Sequence, residues 1–473
     1  MCYNEKMDKR VKQAERSVRR VEKATRLAAK ATRRTARSAQ KIAKRPYQHS
    51  AIKQPTWQNP IIEYMDAISR RRKRLHTKPP RRVRLERQIL AMLACFSVST
   101  GIWENFRQLW LQSNGFTATD ISNLVSFGMV LGIIGVIIAG RYIKMTRIKN
   151  FMTLSLVISA INLLSLFFLN HTDQTVLIDA SIALDVITSS LVVSSVYPLL
   201  TTVMKSNRTY SRRKLVEYLF RDVGTLIGGV LIGRAVGNFI VDYNTCLMIA
   251  AIFSVAAAGI LYRTNVTMTE TAPVSRFSII KFLLNHKLQR TYMLYTFVGG
   301  IAYTAVVGLQ MLIATDFFGF SAGMATTYLL LVGLAADALG ILALRYFTPK
   351  NDYLTIIIKF GTRFLIFASA FLSGDLFLCF IALTWTILSA TSYENITDGY
   401  YINAVDNRHQ LKYNTTKHVV NTTGNAIGMF LCGQMFEIGL PYIFGLSALF
   451  LIIQIATAFY LIKLRHRSST KRG

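Results

Sequence analysis

Twelve apolar segments, most of them about twenty residues long, divide the chain from residue 87 onward and constrain its fold more than any other feature. They lie near 87–110, 118–140, 150–170, 176–203, 216–239, 243–263, 291–313, 321–345, 353–373, 376–402, 416–436 and 441–463. A helix rises about 1.5 Å per residue, so such a segment crosses the ~30 Å hydrocarbon core of a bilayer. With 52% of its 473 residues hydrophobic, the chain reads as an all-α polytopic membrane protein. The loops test this independently. One alternating set holds Arg141, Lys144, Arg147 and Lys149, then Lys205, Arg208, Arg212, Arg213 and Lys214, and continues basic to the C-terminal tail. The other set has no Lys or Arg, only acids such as Asp120, Asp173, Asp242, Asp316, Asp375 and Glu437. Basic loops stay in the cytoplasm, so the pattern predicts twelve crossings with both termini cytoplasmic.

The net charge of +32 is uneven. Residues 1–87 hold 27 of the Lys and Arg and 7 of the Asp and Glu, a net of +20. Within them 1–45 reads as a basic amphipathic helix, with Val11, Ala14, Val18 and Val21 starting a weak heptad seam of small residues. Such a helix either stands solvated, lies on an anionic inner leaflet, or meets an acidic partner or RNA. No nucleic acid is expected for the membrane body. Residues 46–86 form a basic linker with Pro46, Pro55, Pro60, Pro79 and Pro80 around one short helix. No apolar leader precedes the basic stretch, so the first apolar segment is expected to target the chain. The cysteines (Cys2, Cys95, Cys246, Cys379 and Cys432) are scattered and suggest neither a disulfide framework nor a metal site.

A shift of 200 residues lays the second half of the membrane body on the first. Asn207-Arg208 falls on Asn407-Arg408, Gly224 on Gly424, Ile227-Gly228 on Ile427-Gly428, Gly233 on Gly433 and Gly140 on Gly340. Six segments per half keep both halves in one orientation, which predicts two parallel repeats with a binding site between them near the midplane. The halves are 87–263 and 291–463, joined by a cytoplasmic loop at 264–290 and followed by a basic tail at 464–473.

With this topology, repeat and central loop, residues 87–463 resemble the major facilitator superfamily of secondary transporters. "GRYIKMTRIK" keeps the Gly140, Arg147 and Lys149 of the family's loop between helices 2 and 3, with Lys144 where an Asp is usual. "GILALRYFTPK" keeps Gly340 and Arg345 in the second half. The helix-5 Gly-Pro pair of drug antiporters is missing, and segment 4 carries Asp185 where an Arg is often found. The resemblance therefore implies the fold, and not a drug–proton antiport mechanism.

Charges at membrane depth are costly and mark function or pairing. In segment 1, Glu104, Asn105, Arg107 and Gln108 share one face, opposite Ile102, Trp103, Phe106, Leu109 and Trp110. In the family's architecture helix 1 lines the central cavity, and that gives the polar stripe a use; the alternative is a structural Glu104–Arg107 pair. Segment 10 adds Tyr393, Glu394, Asn395 and Asp398, and segment 4 adds Asp185. Asp398 reads as interfacial. Tyr303 and Gln310 of segment 7 either line the cavity or pack. Gating candidates are Gly140, Lys144, Glu217, Arg221, Asp222, Arg345 and Lys417. Glu217 and Arg221 are four apart and can pair; the resemblance also allows a Glu217–Arg345 bridge, whereas Lys417 would meet Lys144. Arg234 and Arg363 sit at membrane depth with no partner legible. Glycines 224, 228, 229, 233 and 237 read as a helix-packing surface.

No HExxH, GxSxG or GxxxxGK[ST] occurs. Neither an enzyme nor a cofactor is expected, and energy would come from ion or substrate gradients, with Glu104, Asp185 and Glu394 as candidate proton carriers. The sequence thus predicts a secondary transporter of a small polar or amphiphilic solute in the plasma membrane, of bacterial type. The alternatives are a flippase of the same fold moving a lipid-linked substrate, and a non-transporting scaffold or sensor acting through its basic tail.

Overall fold

The structure, a computed structural model, describes residues 81–142, 147–169, 174–203, 206–233, 243–264, 286–346, 357–403 and 407–470. The basic helix and linker expected over 1–80 lie outside them, as do Arg234, Gly237 and the loop residue Lys144. At several helix ends only the backbone is described.

All described elements are helical. The first six are α1 (Arg81–Ser113), α2 (Ala118–Tyr142), α3 (Ile148–Leu169), α4 (Thr175–Val203), α5 (Ser206–Gly233) and α6 (Tyr243–Arg263). The second six are α7 (Lys287–Val307), α8 (Ala322–Tyr346), α9 (Thr362–Ser373), α10 (Leu376–Asn403), α11 (Asn407–Ile438) and α12 (Leu440–Thr470). The apolar runs place these helices, since a helix in lipid satisfies its own backbone. Among the described residues, eight spans are long and apolar enough to cross a membrane, in α1 to α4, α6 to α8 and α12.

Three departures from the sequence reading have local causes. Helices α5 and α11 begin about ten residues early, through the polar stretches after Ser206 and Asn407, because a helix continues past its apolar run where water replaces lipid. The seventh segment is broken: α7 stops at Val307, a short turn covers Gln310–Leu312, and a π-helical turn covers Ile313–Phe317. Leu309 between them leaves helical geometry at φ −116° and ψ 33°. The ninth segment likewise begins as a π-helical turn, Ile357–Gly361.

One end of the molecule is built from tight turns. Gly115, Gly319, Gly374 and Gly439 have positive φ and join α1 to α2, the π turn to α8, α9 to α10 and α11 to α12. Gly374, at φ 66°, caps α9 by donating its N–H to the Ala370 carbonyl, a conformation that costs a residue with a Cβ about 1–2 kcal/mol. At α2, Thr117 and Asp120 cap each other reciprocally, with Asp120 N on Thr117 Oγ1 and Thr117 N on Asp120 Oδ2, both 3.1 Å.

Packing repeats with a step of six helices. Contacts α1–α5, α1–α6, α3–α6, α2–α4 and α3–α4 recur as α7–α11, α7–α12, α9–α12, α8–α10 and α9–α10. The halves meet through α2–α11 and its counterpart α8–α5. The 200-residue repeat is therefore visible as geometry. Gly224 lies against the Val98 carbonyl of α1, and Gly424 lies against the Phe297 carbonyl of α7. Gly228 lies under the Phe106 ring and Gly229 against Thr326 of α8, so these three form the packing surface that the sequence suggested. Outer faces carry exposed Ile137, Ile161, Phe168, Ile252, Leu372 and Phe377, as lipid-facing helices do.

Candidate substrate cavity and the closure beside it

The polar face of α1 is held by two ion pairs, and neither is the local pair that spacing suggested. Glu104 Oε2 lies 2.7 Å from Arg221 Nη2 of α5. Arg107 Nη1 lies 3.3 Å from Asp185 Oδ2 of α4. The i, i+3 option between Glu104 and Arg107 loses because each finds a partner on a helix packed against α1. Asp185 is 6% exposed and also accepts a 2.9 Å hydrogen bond from Trp103 Nε1. Trp103, read as part of the apolar face, thus turns its polar edge to the site. Trp110 packs edge-on against it, with ring centroids 5.8 Å apart. Ile102, Phe106 and Trp110 are fully buried, so the apolar stripe meets protein, not lipid.

Both pairs open on one cavity of about 130 Å³. Its floor is Trp103, Glu104, Arg107 and Asp185. Its walls carry hydroxyls: Ser99 and Thr100 from α1, Ser159 from α3, Ser189 and Ser190 from α4, and Thr422 from α11. The cavity therefore sits mainly within the first half, closed by one helix of the second, and α7 and α10 contribute no lining residue among those described. Asp185 of segment 4 stands beside the α1 stripe, a neighbourhood the sequence reading did not assign to it. Tyr303 of α7 is half-buried and stands within electrostatic range of Arg221, as do Glu217 and Tyr218. Arg221, foreseen as the partner of Glu217, makes its close bridge to Glu104 instead.

Gln108 does something the sequence did not announce. Its side chain reaches into the break of α7, donating from Nε2 to the Gly308 carbonyl at 2.6 Å and accepting at Oε1 from Met311 N at 3.3 Å. A broken helix leaves such groups without intrahelical partners, and one amide satisfies both. Gln112 Nε2 binds Asp316 Oδ2 one turn further on, at 3.1 Å. Thr119 Oγ1 donates to the Gly433 carbonyl at 3.1 Å across α2 and α11. The halves are thus tied together at the end with the tight turns. Gln310 lies in the short turn after the break. Replacing Gln108 with Leu is expected to strand both backbone groups at about 1–3 kcal/mol each. The thermal unfolding midpoint of the purified variant should fall accordingly, and an unchanged midpoint would show that the amide is not needed there.

The remaining candidates are described only in part. Tyr393, Glu394, Asn395 and Asp398 lie on α10, and Gly140 and Arg345 near the ends of α2 and α8; the side chains of these residues and of Asn105 lie outside the described part. Lys417 stands over the Tyr292 ring of α7, 5.8 Å from its centroid. Arg363 is 3% exposed; it reaches the Ala302 carbonyl at 3.4 Å and covers the Phe367 ring at 5.1 Å. Asp337 on α8 was passed over by sequence reading, although it is a charge inside an apolar segment like Asp185.

The described helices thus form two matching halves of six, with a charged cavity mainly in the first. The family model described as Major Facilitator Superfamily matches residues 21–212, somewhat under half of the chain. No curated protein matches the chain. Among solved structures, the human organic anion transporter MFSD10 (TETRAN) has a TM-score of 0.60 at 11% identity, over 80% of this chain and 100% of its own. A variant of the E. coli fucose:proton symporter FucP has 0.57 at 13%, over 81% and 99%. The nucleoside transporter NupG has 0.56 at 13%, over 80% and 98%. These proteins are transporters, not enzymes, and at such identities they report the fold alone.

Proposed function

We propose that the protein is a secondary active transporter that moves a small polar or amphiphilic solute across the plasma membrane by alternating access, coupled to a proton gradient. The observation that carries this reading is the hydroxyl-walled cavity floored by Glu104, which is bridged to Arg221 behind it, and by the Arg107–Asp185 pair, beside an end where Gln108 and Gln112 close the two halves together. Each carboxylate is matched by a guanidinium, so a solute with its own polar groups can exchange with a pair without leaving a charge bare. The sugar, nucleoside and organic anion in the neighbours' names are all polar solutes. The basic loops put the termini in the cytoplasm in this reading, and twelve spans follow, with the closed end outward and residues 1–45 available to anionic lipid.

The test is a thermal-shift screen of the purified protein against polar solutes, organic ions and lipids, at about pH 5.5 and pH 7.5, with Glu104→Gln alongside. A stabilising solute whose effect depends on pH and disappears in Glu104→Gln is the expected result. A screen in which the variant responds as the parent does would remove Glu104, and the proton coupling through it, from the mechanism.

A further inference from the structure

The cavity offers a solute two charges of opposite sign on one helical turn. Arg107 gives Nη1 to Asp185, which leaves the guanidinium edge made by Nε and Nη2. Nε is buried and makes no hydrogen bond among the described residues. A buried N–H without an acceptor is costly, and such an edge takes a carboxylate through two parallel hydrogen bonds. One turn back along α1, Glu104 has one oxygen on Arg221 and keeps lone pairs to spare. Asp185 accepts both of its donors at Oδ2, so Oδ1 also remains for a donor. Asp222, the residue after Arg221, lies against Gly333 of α8 and is not on the lining. The hydroxyls nearest Glu104 in sequence add acceptors. Ser99 donates to the Ala250 carbonyl at 2.7 Å and Thr100 to the Ser97 carbonyl at 3.0 Å. With their protons spent, both offer the cavity lone pairs only. Along α1 the lining therefore runs from acceptors at Ser99 and Thr100, through an acid at Glu104, to a base at Arg107.

We propose that the solute is a small zwitterion of amino-acid type, its ammonium held by Glu104 and its carboxylate by the open edge of Arg107. The two residues are separated by about 4.5 Å of helix rise, a span that the charges of a small amino acid bridge with one hydrogen bond at each end. At about 130 Å³ the cavity is of the order that holds about six heavy atoms, the size of alanine. A lone cation would leave the Arg107 edge without an acceptor, and a lone anion would meet Glu104 and Asp185. The zwitterion satisfies both ends and adds no net charge to a site whose two acids and two guanidiniums already balance. A neutral polyol can reach the same groups, but its hydroxyls bind them less strongly than charged partners do. This class rests on the reading of the cavity as the solute site, and not on what drives transport.

Calorimetry on the purified full chain at neutral pH tests it, with alanine and β-alanine set against propylamine, propionate and glycerol. Each single-charge analogue should bind at least about tenfold more weakly than alanine, because it forfeits one charged end. Two variants assign the ends. Arg107→Lys keeps a positive charge for Asp185 but loses the forked edge, so alanine should lose its advantage over propylamine and keep its advantage over propionate. Glu104→Gln should do the reverse. Propylamine, propionate or glycerol binding as tightly as alanine overturns the class, as do variants that leave the ranking unchanged. A panel in which nothing binds overturns it too. The transporter reading is judged apart, by uptake into proteoliposomes. Alanine bound but not carried ends that reading and leaves the ligand class standing, whereas another solute carried without any alanine binding does the opposite.

Discussion

Arg107→Leu is expected to cost the purified protein about 3–5 kcal/mol, the usual result of removing one partner from a buried ion pair, whereas Arg107→Leu with Asp185→Leu should recover most of that loss. The reason lies in what each variant leaves behind. Asp185 is 6% exposed and has two donors, Trp103 Nε1 and Arg107 Nη1. Without Arg107 its carboxylate keeps one neutral indole N–H and no counter-charge, with only a cavity of about 130 Å³ to admit water. Removing both charges ends the demand, and leucines of similar bulk fill part of the space. Unfolding midpoints for the two single variants and the double close the cycle. A single variant no less stable than the double would mean that the pair is hydrated through the cavity and that its desolvation is slight. The cavity should also change character: with the pair gone, any solute recognised through Asp185 or Arg107 should lose its stabilising effect.

The second large effect is steric. Gly224→Leu should yield little folded protein, because a Cβ there runs into the Val98 carbonyl and stands 3.0 Å from the backbone N of Ile102. Backbone cannot rotate away as a side chain can, so α1 and α5 must separate, and the Glu104–Arg221 bridge between them must stretch. Gly424→Leu should fail in the same way against the Phe297 carbonyl of α7. Gly259→Leu on α6 is the control, since nothing lies within 4 Å of its would-be Cβ. The yield of monodisperse protein after detergent extraction distinguishes them. If all three behave alike, the glycines serve helix flexibility or insertion and not close approach.

Most of the helices were legible in the sequence to within a few residues because lipid makes hydropathy decisive, and α5 and α11 were missed by about ten residues where their starts are polar. The π turns and the break after Val307 were not, since Gly308 and Leu309 are apolar like their neighbours and break no pattern. Charge was legible as position and not as partnership. Glu104, Arg107, Asp185 and Arg221 all stood out, yet spacing along one helix offered only Glu104–Arg107 and Glu217–Arg221. The pairs that form are 82 or fewer residues apart for Asp185 with Trp103 and Arg107, and they depend on which faces of α1, α4 and α5 meet. Asp337 was missed for a simpler reason: attention went to clusters, and it is the only acid in its segment. The rule that flagged Asp185 would have flagged it too.

Gln108 and Gly308 stand exactly one repeat apart, and they touch. Two sites exchanged by a pseudo-twofold axis can be in contact only where they lie beside that axis, so this hydrogen bond marks where it leaves the closed end. If solute passes between the halves, as the proposed function has it, its path runs along the same line. On that reading the glutamine is a bar across the path on the molecule's own centre line. A mutation that shortens it should then be felt by any solute moved, whatever each binds to on the way.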